Sequence, residues 1–554
     1  MNPRDVGRRF PLGSPLLLAA RPVSALEELL AALAPAGLSL VFFLVLWLPS
    51  LSPHYGFYSD ELYYLACADR PALGYVDQPP LFVWLLGLHR AVFGDSQLAL
   101  RALPAAAGAL TAFLAGWMAR RMGGGLFAQL LATLAVAVSG VSLSMFSFFT
   151  VNTTAILLWT VASWILLELC RSRDPRLWLP LGAVLGLALL NKHSAVVPVA
   201  GVAVATLLTP LRRDLATRWP WLGALAGVSI FSPNLYWQFA NDWVSFAFYS
   251  NIEAGRFTAS AWEQIQLQIA HQNPTSFPIW AGGAWFFLVS PRGLRFRALG
   301  WLFATGLVLA ILGGSMLSYR IAGVFPATFA GGAVFLESIR RTDVGTVRRI
   351  WNTWTLPAFM LLIGVAIATL ALPILPPVQL AHHPLYVAEV PGSFRTEIGR
   401  NEIPYPLGNR THWKAFVAEI EGVVARLSPE ERRDAIIMAD YFGHAGALEH
   451  YASERLPPVY SRMTGYFLWG PPEGSPQTVV SIGIDEEFVR AHFERPEVVA
   501  TFRCTFCPPV VSELPIYVTG PPKRPFVELW PEIGALDDRR TRLLRAQQAE
   551  AQRR

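Results

Sequence analysis

The sequence predicts a polytopic α-helical membrane protein that carries a separate α/β domain at its C-terminal end. Of its 554 residues, 53% are hydrophobic and only 15% are charged, which is too apolar for a soluble protein of this size. The apolar runs are roughly 20 residues long, which matches a hydrocarbon layer of roughly 30 Å. After Leu375 these runs end and the density of charged residues rises. The two halves of the prediction follow from this change.

We predict about eleven membrane spans from the apolar runs. The first run is expected to be an uncleaved span, because no cleavage site of small residues follows the basic N-terminus. The expected organisation is a cytoplasmic segment (1–31), a transmembrane domain (32–375), an outer α/β domain (376–536) and a charged tail (537–554). The predicted spans are 32–52, 99–119, 126–146, 148–170, 177–191, 194–210, 218–236, 274–290, 298–314, 317–338 and 352–375.

The arginines of the membrane half fall mainly on one side of these spans. Cytoplasmic loops of membrane proteins are rich in Arg and Lys, so the arginine-rich side is predicted to be cytoplasmic. The N-terminus is then inside, and everything after the last span is outside. The net charge of +6 is explained by this topology and gives no reason to expect nucleic-acid binding. The cytoplasmic set is Arg4, Arg8, Arg9, Arg21, Arg120, Arg121, Arg171, Arg173, Arg176, Arg212, Arg213, Arg218, Arg292, Arg295, Arg297, Arg340, Arg341, Arg348 and Arg349, whereas the other side receives only Arg70, Arg90, Arg101, Lys192, Arg256 and Arg320.

Two outer loops are long, about 53–98 and about 237–273, and loops of this length in compact proteins are usually functional. The first contains Tyr58-Ser59-Asp60-Glu61 and then Asp77-Gln78-Pro79-Pro80. Carboxylates this close to a bilayer are costly unless they are paired or face water, so they mark a candidate site. After Pro80, apolar residues at helical spacing predict a short amphipathic helix at the membrane surface.

The C-terminal segment alternates predicted helices (411–426, 443–453 and 486–493) with short β-like runs (436–439, 479–482 and 516–518). This pattern predicts a small α/β domain of ordinary size. The charged tail lacks apolar residues at core spacing and is expected to be a frayed helix or disordered.

Four cysteines are present, and Cys67 and Cys170 are predicted to lie on opposite sides of the membrane, where they cannot meet. Cys504 and Cys507 lie in the predicted outer domain, where oxidising conditions permit a disulfide. A single C-x-x-C is weak evidence for zinc, because structural zinc sites want four ligands. We therefore expect a short-loop disulfide, with two free thiols as the alternative.

The acidic loop suits group transfer at the outer membrane surface. A carboxylate there can act as a general base on an acceptor hydroxyl or amine. Nearby cations can hold a phosphate leaving group and offset its developing charge. Lys192 and His193 at the outer end of the fifth span, Arg101 at the start of the second span and Arg256 in the long loop fit that second role by position.

Each residue also has an ordinary structural explanation. Asp60 and Glu61 could form a solvated pair or a helix cap. Lys192 could extend its ammonium group to the membrane interface. His193 could be structural or interfacial. The argument for a site rests on the convergence of these groups on one face.

The chain resembles bacterial glycosyltransferase family 39, whose members are relatives of protein O-mannosyltransferases and of the lipid A aminoarabinose transferase. The resemblance extends from about Leu40 to Trp530 and depends on the order and spacing of several motifs. These are Asp60-Glu61, Asp77 to Leu81, Arg101 to Pro104, Thr150 to Asn152, Asn191 to Ser194, Pro233 to Gln238, Asn273-Pro274, Tyr319-Arg320 before Phe325-Pro326, Gly443 to Ala447 and Tyr466 to Pro471.

The resemblance implies the GT-C fold, a multi-span helical bundle with its catalytic pocket on the outer face. It implies an inverting transfer from a polyprenyl-phosphate-linked sugar to a glycan, lipid or protein acceptor, with Asp60 as the catalytic carboxylate. Some relatives carry Glu-Lys-Pro-Pro where this chain has Asp77 and Gln78, so phosphate binding is expected to rest on Lys192. Some relatives also hold a metal between this element and a later histidine. His271 is the only histidine in the corresponding loop, and metal dependence stays open.

The predicted function is therefore that of an inner (plasma) membrane glycosyltransferase. A membrane transporter and a non-catalytic membrane binding protein are the alternatives. Transporters commonly show internal repeats and broken helices near the midplane, and the sequence shows no repeat. The candidate catalytic residues are Asp60 and Glu61, and the candidate substrate-binding residues are Asp77, Gln78, Arg101, Lys192, His193 and Arg256.

Overall fold

The computed structural model describes residues 25–254, 259–314, 317–341, 354–387, 402–474 and 476–534. Most of the predicted N-terminal segment and the whole predicted charged tail lie outside these described residues.

The membrane half is built from helices, several of which are interrupted by single 3-10 turns. Their bounds are α1 Ala25–Trp47, α2 Ser59–Ala68, α3 Leu81–Phe93, α4 Gln97–Arg121, α5 Leu126–Ala137, α6 Gly140–Met145, α7 Val151–Ser172, α8 Trp178–Asn191, α9 Val196–Leu208, α10 Trp219–Ala240, α11 Val244–Ala254, α12 Ala261–His271, α13 Phe277–Leu288, α14 Arg297–Gly313, α15 Phe325–Arg341 and α16 Thr355–Ala371.

Each of the predicted spans coincides with one or two of these helices. Among the described residues, 5 helices are long and apolar enough to cross a membrane. The number rises to 6 if His193–Leu208 and Pro210–Ala216, which meet at 95°, form one bent span. Most of the others are shorter or broken, as where α5 and α6 replace a single predicted span. The multi-pass helical bundle is confirmed, and the count of eleven stays a prediction.

The acidic stretch lies in a helix rather than in the polar loop that the sequence predicts. Asp60 and Glu61 occupy the first turn of α2, where negative charge is favourable, and the apolar residues that follow are buried. The predicted amphipathic helix after Pro80 is present as α3. It leaves Leu88, Val92 and Phe93 about two-thirds exposed, which agrees with a helix at the membrane surface.

The C-terminal part is a small α/β structure, as predicted. Its five-stranded sheet has the order β2-β1-β3-β5-β4, in which β1 is parallel to β2 and β3, and β5 is antiparallel to β3 and β4. The strands are β1 Ala435–Ala439, β2 Val459–Ser461, β3 Thr478–Ile482, β4 Glu497–Arg503 and β5 Glu513–Thr519. The helices are α17 Pro377–Ala381, α18 Pro384–Val387, α19 Tyr405–Gly408, α20 Trp413–Ala425, α21 Pro429–Arg433, α22 Phe442–Ala452, α23 Thr464–Leu468, α24 Glu486–His492 and α25 Phe526–Ile533.

The sheet domain packs directly on the helix that carries the acidic motif. Buried side chains of α2 and α3 share one apolar core with Trp413, Phe416 and the central strands. Helix α22 approaches α2 so closely that a Cβ on Gly446 would lie 2.9 Å from the backbone carbon of Leu62. Only a glycine at this position permits the approach without a shift of the backbone. The position of α2 therefore depends on the C-terminal domain.

Candidate active site at the acidic helix

Asp60 lies in the first turn of α2 and is partly exposed. The chain arrives extended at Tyr58 and turns into the helix at Ser59. The carboxylate of Asp60 is partly exposed and accepts a hydrogen bond from the Ser59 hydroxyl at 3.3 Å. The unpaired N–H groups at a helix N-terminus favour a negative charge there. The position suits a carboxylate that must stay ionised and accessible.

Glu61, the next residue, lies in a different environment. Its side chain is buried and accepts four N–H groups: Arg101 Nε at 3.1 Å and Nη2 at 2.8 Å, Phe149 N at 2.9 Å and Tyr58 N at 2.8 Å. Burial by itself would raise the pKa of Glu61, but the charges of Arg101 and Arg410 and these hydrogen bonds outweigh it and hold the pKa below its usual range. A carboxylate has about four lone-pair sites. Because all are taken, Glu61 has no site left to accept a proton from a substrate.

The guanidinium of Arg101 is engaged by the Glu61 carboxylate. Its side chain is 1% exposed, and Nη2 also donates to the carbonyl of Gly56 at 2.8 Å. The sequence proposes it as a contact for phosphate. The geometry instead favours Arg101 as the buried partner that fixes Glu61 and the start of α2.

A second buried arginine reaches this pair from the C-terminal domain. The guanidinium of Arg410 lies 4.6 Å from the ring centre of Phe148, and burial together with the charge of Arg101 lowers its pKa to about 9. Sequence reasoning missed Arg410 for two reasons. No local pattern marks this arginine, and its charge partner, Glu61, lies far away in the chain, in the membrane half.

Residues 403–413, which we call the docking segment, fix the residues that precede Asp60. The side chain of Asn409 accepts the N–H of Ser59 at 2.9 Å, and the indole of Trp413 donates to the carbonyl of Phe57 at 2.9 Å. The carbonyl of Arg410 accepts the N–H of Gly56 at 2.6 Å. The entry of the chain into α2 is thus set by hydrogen bonds from the C-terminal domain.

Asp77 and Gln78 lie in the turn between α2 and α3. The hydroxyl of Tyr63 donates to Asp77 at 2.9 Å, and burial raises the pKa of Asp77 to about 6, although this hydrogen bond opposes the shift. The side-chain amide of Gln78 is buried and has no hydrogen-bond partner among the described residues. Such an amide is available to a ligand that enters the turn.

Lys192 lies at the C-terminal end of α8 and lines a small pocket. Its ammonium group donates to the side chain of Asn152 and lies 5.5 Å from the ring centre of Tyr319. The pocket is also lined by Arg320, which the sequence assigned only to the outer side and to the Tyr319-Arg320 motif. Two cations in one small pocket make a suitable site for an anion.

The start of α7 connects the two parts of the site. Phe149 donates its N–H to Glu61, and Asn152 accepts from Lys192. Three extended residues span at most about 11 Å. Glu61 of the acidic helix and Lys192 of the cationic pocket therefore bind residues that lie close together, Phe149 and Asn152.

The two remaining predicted contacts differ in outcome. Arg256 lies outside the described residues. His193 pairs through Nε2 with the side chain of Asn234 at 2.9 Å, and Asn234 also donates to the carbonyl of Leu73 at 3.2 Å. The geometry of His193 favours a structural role that holds α8, α10 and the loop after α2 together.

A metal between the acidic element and His271 finds no support in the geometry. The Nδ1 of His271 pairs with the Ser318 hydroxyl at 2.6 Å. Within the described ranges, neither His271 nor Asp77 belongs to a group of three or more side chains close enough to hold an ion.

The cysteines follow the prediction. Cys504 and Cys507 are joined in a disulfide with their Cα atoms 5.6 Å apart, whereas Cys67 and Cys170 are buried free thiols.

Comparison with known proteins finds a matching family and a curated relative. The family described as dolichyl-phosphate-mannose-protein mannosyltransferase matches residues 77–237. A curated relative, the lipid A galacturonosyltransferase RgtD of Rhizobium johnstonii, is 28% identical over 189 residues. That match covers 34% of this chain and 39% of RgtD, so it spans well under half of the relative.

The fold is similar to that of ArnT from Cupriavidus metallidurans. The structure with bound undecaprenyl phosphate is 16% identical, covers 88% of this chain and 97% of ArnT, and has a TM-score of 0.54. The apo structure of the same protein gives a TM-score of 0.55. The predicted fold class, a helical membrane bundle with a small C-terminal domain, is confirmed, and so is the resemblance from which it was inferred.

Proposed function

We propose that this chain is an integral membrane glycosyltransferase of the GT-C type, which transfers a sugar from a polyprenyl-phosphate-linked donor to an acceptor. The family match, the curated relative and the similar fold support this proposal. The observation that carries the proposal is the different environment of the two carboxylates in the first turn of α2. There, the Asp60 carboxylate is partly exposed, whereas the buried Glu61 carboxylate accepts four N–H hydrogen bonds. A polyprenyl phosphate as the donor's lipid is supported by the undecaprenyl phosphate bound to ArnT.

The proposed reaction is a single displacement at the anomeric carbon. The oxygen or nitrogen of the acceptor attacks that carbon, and Asp60 takes the proton from the acceptor hydroxyl or amine as the new bond forms. The bond from the carbon to the phosphate oxygen breaks, and its electron pair leaves with the polyprenyl phosphate. Lys192 and Arg320 offset the growing charge on the leaving phosphate. Glu61, Arg101 and Arg410 act by positioning Asp60, and Gln78 is suited to a hydroxyl of the donor sugar.

The proposal is tested with purified protein in detergent and a panel of polyprenyl-phosphate-linked hexoses, pentoses and uronic acids. Mass spectrometry should show loss of the sugar headgroup and release of polyprenyl phosphate from at least one donor when an acceptor extract is present. Intact donors throughout the panel, together with movement of donor across proteoliposomes, would support the transporter alternative instead.

We further propose that the C-terminal domain lies on the outer side of the inner membrane. The arginine bias supports this orientation, and so does the disulfide, since disulfides persist in oxidising compartments. In a background with Cys67 and Cys170 replaced by Ser, a membrane-impermeant maleimide should label Glu454→Cys in intact cells but should label Arg212→Cys only after lysis. Both positions are exposed. The reverse pattern would invert the topology.

Lys192→Gln should weaken donor binding and slow transfer together. A hydrogen bond to a charged group contributes about 1.5–3 kcal/mol, so we expect a loss of roughly 10- to 150-fold in kcat/KM. Arg320→Gln should act in the same direction. Lys192→Arg should recover part of the loss, because it restores the charge but not the compact ammonium group.

The matched control is Arg218→Gln, a cation at the start of α10 that lies 5.0 Å from the ring centre of Trp219. It should leave donor kinetics unchanged. If Lys192→Gln behaves like this control, Lys192 is only an interfacial anchor.

A further inference from the structure

Three potential metal ligands meet in the C-terminal domain, in a cluster to which the proposed transfer gives no role. The ligand atoms of His412, Cys504 and Cys507 all lie within 4.8 Å of one another. Within the described residues this is the one group of three such side chains close enough to hold an ion. It combines a C-x-x-C turn with a histidine from the docking segment, which no local sequence pattern connects.

His412 has two properties of a metal ligand: its ring is buried, and its ring nitrogens make no hydrogen bond within the described residues. Its side chain is 2% exposed, yet in the part of the chain that the structure describes neither ring nitrogen makes a hydrogen bond. Buried polar groups are nearly always hydrogen-bonded, so such a ring calls for an explanation. A neutral imidazole is the form of histidine that binds metals.

The surroundings hold the imidazole in place and leave one side of the cluster open. The ring of His412 lies 4.0 Å from that of Trp413, between centroids, and 6.3 Å from that of Phe502. Cys507 is buried, whereas Cys504 is half-buried. A reductant and an ion can thus reach the cluster through Cys504.

The geometry points to a Cys₂His site for a divalent ion such as Zn²⁺, of which the disulfide is the oxidised form. In tetrahedral zinc sites the Zn–S bonds are about 2.3 Å and the Zn–N bonds about 2.0–2.1 Å. These lengths place the ligand atoms roughly 3.3–3.8 Å apart. The cluster needs only a local rearrangement of the two sulfur atoms to reach that spacing. Water or a ligand from solvent completes the fourth position.

The interconversion uses a dithiol reductant. The reductant gives two electrons and two protons to the Cys504–Cys507 bond and becomes a disulfide itself, which leaves two thiols. Binding of Zn²⁺ then displaces the two thiol protons, and His412 adds its ring lone pair. An oxidant of the disulfide class reverses the first step and releases the ion.

The site lies where it can affect the acidic helix. The turn between the cysteines packs on the docking segment, because a Cβ on Gly408 would lie 2.6 Å from the carbonyl oxygen of Phe506. His412 is flanked by Arg410 and Trp413, whose backbone and side chain hold Gly56 and Phe57. An ion would add a direct bond between the turn and this segment, which the disulfide does not supply.

The test uses the full chain in detergent with Cys67 and Cys170 replaced by Ser, so that only the pair can react. After reduction with a dithiol and removal of the reductant, titration with Co²⁺ should produce thiolate-to-metal charge-transfer absorption that saturates at one ion per chain. Zn²⁺ should displace the Co²⁺. The unreduced protein should give no such absorption.

His412→Ala should weaken Co²⁺ binding at least tenfold, because loss of even an outer partner of a metal ligand costs about 10- to 100-fold. His412→Cys should restore tight binding and add the absorption of a third thiolate, which shows that the position itself supplies a ligand. Size-exclusion elution of the unreduced variants reports their folding. Reduced wild-type protein that takes up no ion, or His412→Ala that binds Co²⁺ as tightly as wild type, would show that the pair is a structural disulfide only.

Discussion

Asp60→Asn should reduce turnover by roughly 10²–10⁴-fold, the usual contribution of a general base. Asparagine keeps the size of the side chain and can still accept the hydrogen bond from Ser59, but it cannot take a proton from the acceptor. Because Asp60 is partly exposed and the amide has the same shape as the carboxylate, the variant should fold normally. Release of polyprenyl phosphate measures the turnover, and donor binding should be largely unchanged.

Asp69→Asn is the matched control, since Asp69 lies at the other end of α2, is 58% exposed and pairs with Arg90 at 2.5 Å. Its turnover should stay near that of wild type. An Asp60→Asn enzyme that keeps more than about a tenth of wild-type turnover is incompatible with a general base at this position. The role would then pass to Asp77 rather than to Glu61, because all acceptor sites of Glu61 are occupied.

Glu61→Gln should destabilise the protein by about 3–5 kcal/mol, the cost of breaking a buried ion pair by removing one partner. Without the carboxylate, Arg101 and Arg410 are two buried cations that repel each other and have lost the carboxylate that offset their charges. The folded yield in detergent and the midpoint of thermal unfolding should both fall sharply. Activity should fall as well, because the start of α2 is no longer fixed.

The ion-pair cluster of Glu168 with Arg121 and Arg171, whose side chains are 15% to 37% exposed, provides the comparison. Glu168→Gln should cost no more than about 1 kcal/mol, since surface ion pairs contribute little. Adding Arg410→Met to Glu61→Gln should recover part of the lost stability, because it removes one of the two uncompensated charges. Equal destabilisation by Glu61→Gln and Glu168→Gln would contradict the assignment of Glu61 to a buried positioning role.

Local patterns in the sequence were enough to predict the class of protein and most of its helices. Runs of apolar residues identify segments that must leave water, whatever their neighbours are, so the bundle and the helix after Pro80 follow from them directly. The strands β1, β3 and β5 were predicted because they are apolar over several residues. The strands β2 and β4 were missed, because edge strands pair on one side only, and here one is three residues long and the other largely exposed.

The sequence also marks the Asp60-Glu61 pair as the candidate site, but it does not separate the two carboxylates. Consecutive residues of a helix point in directions about 100° apart. The side chain of Asp60 is therefore partly exposed, whereas that of Glu61 faces Arg101. Which is which depends on segments that the chain brings together only on folding: the start of α4, the start of α7 and the docking segment.

The same limit applies to Arg320, Arg410 and the cluster of His412 with the two cysteines. Hydrophobic periodicity is a pattern among residues that are close in sequence, and it predicts which face of a helix or strand is buried. The partners of a buried charge or of an unpaired imidazole are chosen by packing between distant segments, which local sequence does not encode. The sequence by itself therefore determined the membrane bundle, its attached α/β domain and the acidic motif. The tertiary structure decided which carboxylate is buried and fully hydrogen-bonded, because the partners of Glu61 come from segments that are distant in the chain.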